Sequence, residues 1–344
     1  MKDISAVVCT HRIERWPWLL ECLASLERQT LPPLEVIVVV DGKPEIWERL
    51  IHRNGPTITL STPRPSGLSA ARNLGLTRAS GTYVAFLDDD AVADASWLKT
   101  LRAVLEDDTV AGAGGRSVPN WEGKKPPWMP EELLWALGCS YRGMPTTRSE
   151  VRNVYGGSAC FRRDIFTRFG GFDTNLGRTA VGLAGCEETE LCLRVQSRSQ
   201  GLRFVHEPGA VIHHQVPVDR QKISYLLSRC ASEGRSKAIL RAIDGGRSNR
   251  PLAREASYLF RTVPSGMLSY ICQFLRGDGW GLVRAILLTM AVINTLLSYE
   301  ATRAKSILGR LALEPTSNDQ CNTPGEDEAH WRHQQLTSID RLNE

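Results

Sequence analysis

The chain has no C-x-x-C pair, and its nine cysteines are an odd number. That argues against a disulfide framework or a zinc site and for reduced thiols in a cytosolic setting. Excess charge of one sign is also scarce. A net charge of +4 over 344 residues is too small by itself to indicate a nucleic-acid binder, and no nucleic-acid partner is expected. No internal repeat is visible, and no signal peptide is expected ahead of the first strand-like run at Ile4. Long hydrophobic runs are confined to Gly281–Tyr299, cleanest from Ala285 to Ile293. Arg284 and Glu300 bracket that run, and Asn294, Thr295 and Ser298 dilute it. A spanning helix wants ~20 mostly apolar residues, so a buried or interface-lying helix is the expectation.

What the chain does have is alternation. Residues 1–115 switch between strand and helix patterns: Ile4–Cys9, Val36–Val40, Thr57–Leu60 and Tyr83–Leu87 as strands, with Trp16–Arg28, Ile46–His52, Leu68–Arg78 and Trp97–Leu105 as helices. Repeated βα units imply an α/β fold with a mainly parallel twisted sheet and flanking helices. After Gly115 the character changes. Pro119–Pro130 holds four prolines and two tryptophans and reads as a long loop over a site. Further strand-like runs lie at Asn153–Arg162 and Leu202–His213, with a helix from about Glu187 to Ser199 between them. From Ile223 the pattern is helical, and residues 220–254 carry nine Lys/Arg against two acidic residues. The expected organisation is therefore 1–115 and 116–220 as two halves of one domain, 221–314 as a helical C-terminal region, and 315–344 as a mobile polar tail.

Three constellations carry chemistry. Asp88, Asp89 and Asp90 leave the apolar strand Tyr83–Leu87. Adjacent carboxylates repel one another, and at a strand's carboxyl end they face the crevice where open α/β sheets bind ligands. A hard divalent cation holding a diphosphate is the simplest partner. Thr10 and Arg12 at the end of strand one, Asp41 at the end of strand two and Arg72 in the first turns of the Leu68 helix fall on the same edge. Asp41 reads either as a ligand contact or as the start of a turn, and Arg72 either as a phosphate or base contact or as a solvated helix residue. The second constellation is Gly156–Arg163, then Gly170–Asp173, then Gly185–Leu191 with Glu187 and Glu188 at a helix start. Gly156 and Gly157 permit close backbone approach to a substrate. The glutamates read either as helix-start charge or as a general base. The third is His213-His214, of which at most one reaches a site, because neighbours on a strand face opposite ways. Arg220 and Arg229 follow, as phosphate contacts or as a basic face. Trp97, opening the helix after the aspartates, is a further expected substrate contact.

Together these residues resemble the family 2 glycosyltransferases with a GT-A fold. Ser66–Asn73, Ala79-Ser80-Gly81 and Phe86–Asp90 look like the family's N-terminal signature, and Gly156–Arg163, Gly170–Asp173 and Glu187–Arg194 like its acceptor-side signature. The match covers roughly residues 3–240, with the motifs in the family's order. The resemblance implies a nucleotide-sugar donor (a UDP-, GDP- or dTDP-sugar), a divalent metal, Mn²⁺ or Mg²⁺, and a glycan or lipid-linked acceptor. It implies that Thr10, Arg12, Asp41 and Arg72 line the nucleotide pocket, with Asp89, and that Asp88 lies near the ribose. Asp90 and His214 then bind the metal, and Glu188 acts as base where aspartate is commoner, leaving Glu187 as a substitute. No Gln-x-x-Arg-Trp motif appears, which points away from a processive polymer synthase. Glu187–Arg194 with His214, Val216, Pro217, Arg220 and Glu233–Ala238 is similar to enzymes that extend lipid-linked sugars, including glucuronosyl transferases acting on glucosyl-dolichyl phosphate.

The expected activity is an inverting transfer of a hexosyl-type sugar. The expected location is cytoplasmic, with peripheral attachment to the inner face of the cell membrane left open. Two alternatives stand beside it, a metal-dependent nucleotidyltransferase and a non-catalytic nucleotide-sugar-binding protein. The first would more often show a Gly-rich phosphate loop after strand one, which this chain lacks.

Overall fold

The computed structural model describes residues 2–52, 57–177, 185–243 and 253–312. The first stretch builds βα units: β1 (Ile4–Thr10), α1 (Trp16–Glu27), β2 (Glu35–Asp41), α2 (Pro44–Ile51), β3 (Thr57–Thr62), α3 (Leu68–Arg78) and β4 (Tyr83–Asp88). Then come β5 (Ala91–Ala93), α4 (Trp97–Val104), β6 (Val110–Trp121), β7 (Ser149–Val151), β8 (Ser158–Arg162), α5 (Asp164–Phe169), α6 (Glu187–Arg198) and β9 (Arg203–Val216). The chain continues as α7 (Ile223–Ile243), α8 (Ala253–Ser257), α9 (Val263–Leu275) and α10 (Gly279–Ala312), with a π-helical turn, Tyr258–Thr262, joining α8 to α9.

One sheet runs β3-β2-β1-β4-β8-β6-β9-β5, with β7 beside β9. The first four strands pair in parallel. The second half is mixed: β8 lies antiparallel between β4 and β6, while β6 and β9 are parallel. The alternation of side chains decides what each face buries. In β1, Ile4, Ala6 and Val8 enter one core with α1 and α4, while Val7 enters the other with α3 and α6. In β4, Tyr83, Ala85 and Leu87 go to the first core, and Val84 and Phe86 to the second. Such two-sided burial explains the unbroken apolar run of β2.

Several expectations change. Pro119–Trp121 is not loop but the end of β6, a long strand bent by register shifts at Val110/Gly112 and Gly114/Arg116. The run from Asn153 is strand only from Ser158, since Tyr155–Gly157 turn into the cavity described below. A third core joins the 3₁₀ segment Glu131–Leu137 to α7, α9 and α10. Contacts group Met1–Ala304 as one compact unit. The tail expected from Pro315 lies outside the described residues.

Candidate active site

Parallel pairing brings the carboxyl ends of β1, β2 and β4 to one edge, with Cys9 opposite Asp88 and Asp41 opposite Thr62. A cavity of about 720 Å³ opens there. Its wall includes Thr10, Arg12, Asp41, Arg72, Asp88, Asp89, Asp90, Gly156, Gly157, Glu187, Glu188, His214 and Arg220. Residues from sequence-distant segments thus share one space.

Arg72 is the centre of it. Its Nη1 donates to Glu187 Oε1 and Glu188 Oε1, both at 3.1 Å, and its Nη2 lies 3.7 Å from Asp88 Oδ1. The guanidinium also sits over the rings of Phe86 and Phe172, at 5.7 and 5.4 Å. Burial alone would discharge it, but Glu188, Glu187 and Asp88 overturn that and raise its pKa. Arg72 is therefore neither solvated nor a bare phosphate contact; it ties the aspartate run to the glutamate pair. Glu187 is the more buried of the two, with 4% of its side chain exposed against 18% for Glu188.

The Gly156-Gly157 pair has the close approach expected of it, but toward the chain's own carboxylates. A Cβ on Gly156 would meet Glu188 Cγ at 2.5 Å, and one on Gly157 would meet Asp88 Cγ at 2.6 Å. Consecutive Cα atoms are ~3.8 Å apart, so Asp88 and Glu188 press on neighbouring points of one backbone ridge.

Asp90 faces the same space from the β4–β5 turn. Its Oδ2 is 3.2 Å from Arg15 Nη1 and 3.1 Å from Arg220 Nη2, and its Oδ1 is 3.3 Å from His214 Nδ1. Arg220 Nη1 also lies 3.0 Å from His214 Nε2. Gly138, at φ +82°, closes the 3₁₀ segment Glu131–Leu137 against that imidazole, where a Cβ would stand 3.1 Å from Nε2. Asp89 is tied to Arg15 at 2.7 Å. Its carboxyl is pushed up to about 6, by burial first, with Arg15 opposing and Asp90 adding.

Asp88, Asp90 and His214 offer two carboxylate oxygens and one imidazole nitrogen, all within 4.8 Å of one another. This donor set fits a divalent ion. The local charge agrees. Five carboxylates, Asp88, Asp89, Asp90, Glu187 and Glu188, crowd around the guanidinium groups of Arg15, Arg72 and Arg220. His213 points elsewhere, its Nε2 3.1 Å from Asp94 at the half-exposed side of β9.

The remaining expected residues divide. Thr10 is buried at the cavity wall, and Arg12 is exposed at its rim. Asp41 lines the cavity, yet its oxygens are taken by Thr62 Oγ1 at 2.8 Å, Ser66 N at 2.7 Å and Gly67 N at 2.9 Å. It shapes the turn that starts α3, where Gly42 at φ +63° leaves no room for a Cβ beside Pro65. Trp97 is corrected outright. It is fully buried in the first core and donates its indole N–H to Ser158 Oγ at 3.1 Å, so it has no surface to offer a substrate.

Sequence reading missed Arg15, whose place in the turn after Arg12 was the available signal, and Lys43, Arg152, Tyr225 and Lys237 on the cavity wall. It also missed Cys186, at φ +75° the one non-glycine residue with positive φ among those described, directly before Glu187. Such strain gathers at functional sites. Asn73 clamps the Gly171-Phe172 turn below Arg72 by exchanging two 2.8 Å hydrogen bonds with the Phe172 backbone. The cavity thiols are inert. Burial pushes Cys9 up to about 12 despite Arg72, and Cys186 likewise to about 12. The eight described cysteines are all free.

Residues 5–170 match the family model described as "Glycosyl transferase family 2". The chain is 35% identical over 241 residues to the glucosyl-dolichyl phosphate glucuronosyltransferase of Haloferax volcanii, a match covering 69% of this chain and 77% of that protein. It is 31% identical over 214 residues to a pre-mycofactocin glycosyltransferase of Mycobacterium tuberculosis, covering 61% of this chain and 43% of that one. Among solved structures, a Pyrobaculum calidifontis mannosyltransferase in complex with GDP-Man and Mn²⁺ superposes with a TM-score of 0.55 at 20% identity, covering 89% of this chain and 87% of that chain. At that identity the likeness speaks for the fold, which is GT-A.

Proposed function

The chain belongs to glycosyl transferase family 2, and on that premise we propose that it is an inverting enzyme moving a sugar from a nucleoside-diphosphate donor to a hydroxyl of a lipid-linked acceptor. The observation that carries the reading is the Arg72 bridge, which touches Asp88 at 3.7 Å and Glu188 at 3.1 Å. It holds Asp88, a potential cation ligand, and the partly buried Glu188 on one cavity wall.

In this reading Asp88, Asp90 and His214 would hold the divalent ion, which would supply the charge that makes the diphosphate a better leaving group. Thr10, Arg12 and Asp41 border the nucleotide end of the cavity. Glu188, the more exposed of the glutamates, takes the proton of the acceptor hydroxyl as that oxygen attacks the anomeric carbon. The attack and the departure then occur on opposite faces of one sugar, which inverts its configuration. Glu187 holds Arg72 in place from the buried side. Base assistance of this kind is typically worth ~10²–10⁴-fold, and alignment of the two substrates contributes a further large term. The lipid-linked acceptor is supported by the Haloferax relative, whose name specifies a glucosyl-dolichyl phosphate.

The test is a panel of nucleotide sugars with Mn²⁺, read by release of nucleoside diphosphate. Release from one donor, with Glu188→Gln retaining donor affinity and losing most turnover, is the expected result. Pyrophosphate release from a nucleoside triphosphate supplied with a sugar 1-phosphate, with no release from any nucleotide sugar, would mark a nucleotidyltransferase, and donor binding without any release would mark a binding protein.

A further inference from the structure

We infer that the outer face of α9 and α10 docks flat on an anionic lipid bilayer and sets the mouth of the catalytic cavity against it. The inference rests on the transferase reading only for the identity of what enters the cavity; the docking surface stands on its own observations.

The first is where exposed apolar residues lie. Among the described residues, twelve of the eighteen large exposed hydrophobics fall between Phe260 and Leu297. Single exposed leucines need no explanation, but a concentration of this kind does. On α10 they recur at helical spacing as Leu282, Ile286, Met290, Ile293 and Leu297, one continuous stripe. The facing ends of α9 and α10 add Leu275, 76% exposed, and Trp280, 45% exposed.

The second is what lies behind the stripe. Gly279–Lys305 is long and apolar enough to cross a membrane, with a mean hydropathy of 1.7. Its opposite face, however, is built into the globular unit. Ala285, Leu288 and Ala291 are buried in the third core, and Asn294 Nδ2 donates to Leu227 O at 2.7 Å. Gly234 of α7 has no room for a Cβ against the Thr295 backbone. Arg284 reaches Pro127 O and Asp278 Oδ2, each at 2.8 Å. A helix attached in this way cannot be ringed by lipid, so it lies on the bilayer rather than through it.

The third is charge. α9 itself carries no charged residue, and exposed arginines stand at both of its ends, Arg261 and Arg276. An apolar stripe edged by arginine and tryptophan matches the headgroup boundary of an anionic membrane. A second copy of this chain would bring the same arginines against themselves. The fourth observation joins surface to site. Phe260, 80% exposed, and Leu296, 45% exposed, belong to the apolar face and also line the cavity that holds Asp90 and Glu188. The cavity therefore opens within the docking surface, and a lipid-borne acceptor reaches Glu188 from the bilayer without crossing water.

The experiment uses the full chain without detergent and preformed phosphatidylcholine vesicles with or without phosphatidylglycerol, in flotation. The wild type is expected to float with the vesicles, more strongly when they are anionic, and to redistribute to fresh vesicles on mixing. Leu275→Glu and Ile286→Glu, both at exposed positions outside the site, should each weaken partition by at least about tenfold while leaving donor turnover in solution unchanged. In a Cys272→Ser, Cys321→Ser background, an environment-sensitive fluorophore on Phe260→Cys should shift to the blue with vesicles, and one on Asp108→Cys should not. Wild type that stays in the aqueous fraction, glutamate variants that bind as well as wild type, bound protein that never exchanges, or a dimer that those variants dissociate in place of vesicle binding would each overturn the inference. Flotation is read without donor, so its failure and a failure to release nucleoside diphosphate are separate results.

Discussion

Replacing Gly156 with alanine puts a methyl group 2.5 Å from Glu188 Cγ, where ordinary van der Waals contact begins at 3.4 Å. The glutamate must retreat by at least about 0.9 Å, because its Oε1 lies closer still to the new methyl. It has little freedom to do so, because its Cα is fixed in the first turn of α6 and its Oε1 is held by Arg72 at 3.1 Å. Misplacing a reacting group by ~1 Å costs ~10²-fold in rate, about 2.7 kcal/mol of barrier. Gly157→Ala makes the matching perturbation on the other side, at 2.6 Å from Asp88 Cγ. The two variants should therefore fail differently. Gly156→Ala should lose about a hundredfold in kcat and keep donor and Mn²⁺ affinity within about threefold. Gly157→Ala should lose donor and Mn²⁺ affinity first. Nucleoside-diphosphate release gives the rates, calorimetric titration gives the affinities, and far-UV circular dichroism checks the fold. A Gly156→Ala enzyme with near-normal kcat, or one whose donor affinity falls in step with its rate, would refute the division of roles across the ridge.

Two further outcomes concern stability. Arg72→Met leaves Glu187 buried without its guanidinium, which should cost about 3–5 kcal/mol in urea unfolding; a loss under about 1 kcal/mol would show that the bridge contributes little. Glu255 is held by Lys237 at 2.9 Å and Arg152 at 2.7 Å. Burial opposes its charge, but those two cations lower its carboxyl from 4.5 to about 2. A depressed folded-state pKa contributes stability that is complete above the unfolded value and lost as the pH falls through the folded one. Glu255→Gln should thus be less stable than wild type by about 3 kcal/mol at neutral pH. The gap should close as the pH falls from 4.5 towards about 2; a gap independent of pH would contradict this.

Much of the site was legible because it sits where periodicity changes. Asp88–Asp90 end an apolar strand, Glu187 and Glu188 start a helix, and both positions follow from local pattern. His214 rather than His213 faces the site because strand neighbours alternate, as the pairing of Ala91 with His214 and Val92 with His213 realises. What sequence could not supply was partners. A charge at position 72 says nothing about which carboxylates it will meet, and the Arg72 bridge spans over a hundred residues of chain. Asp88 was expected at the ribose, and the fold adds that its carboxylate lies among the potential cation ligands. Trp97 was misread because a helix start does not reveal which way its first side chain points. The Pro119–Trp121 strand was missed because proline argues against strand locally, and only the pairing of β6 with β9 fixes it.

The proposed transfer requires a diphosphate and its cation to sit in the cavity that Glu188 lines. Anomalous diffraction from a crystal grown with Mn²⁺ and a nucleoside diphosphate tests it most directly. The predicted result is one strong peak among Asp88, Asp90 and His214, with the diphosphate on it and Glu188 across the same cavity. A manganese peak away from those three residues, or a diphosphate in a space that Glu188 does not line, would contradict it.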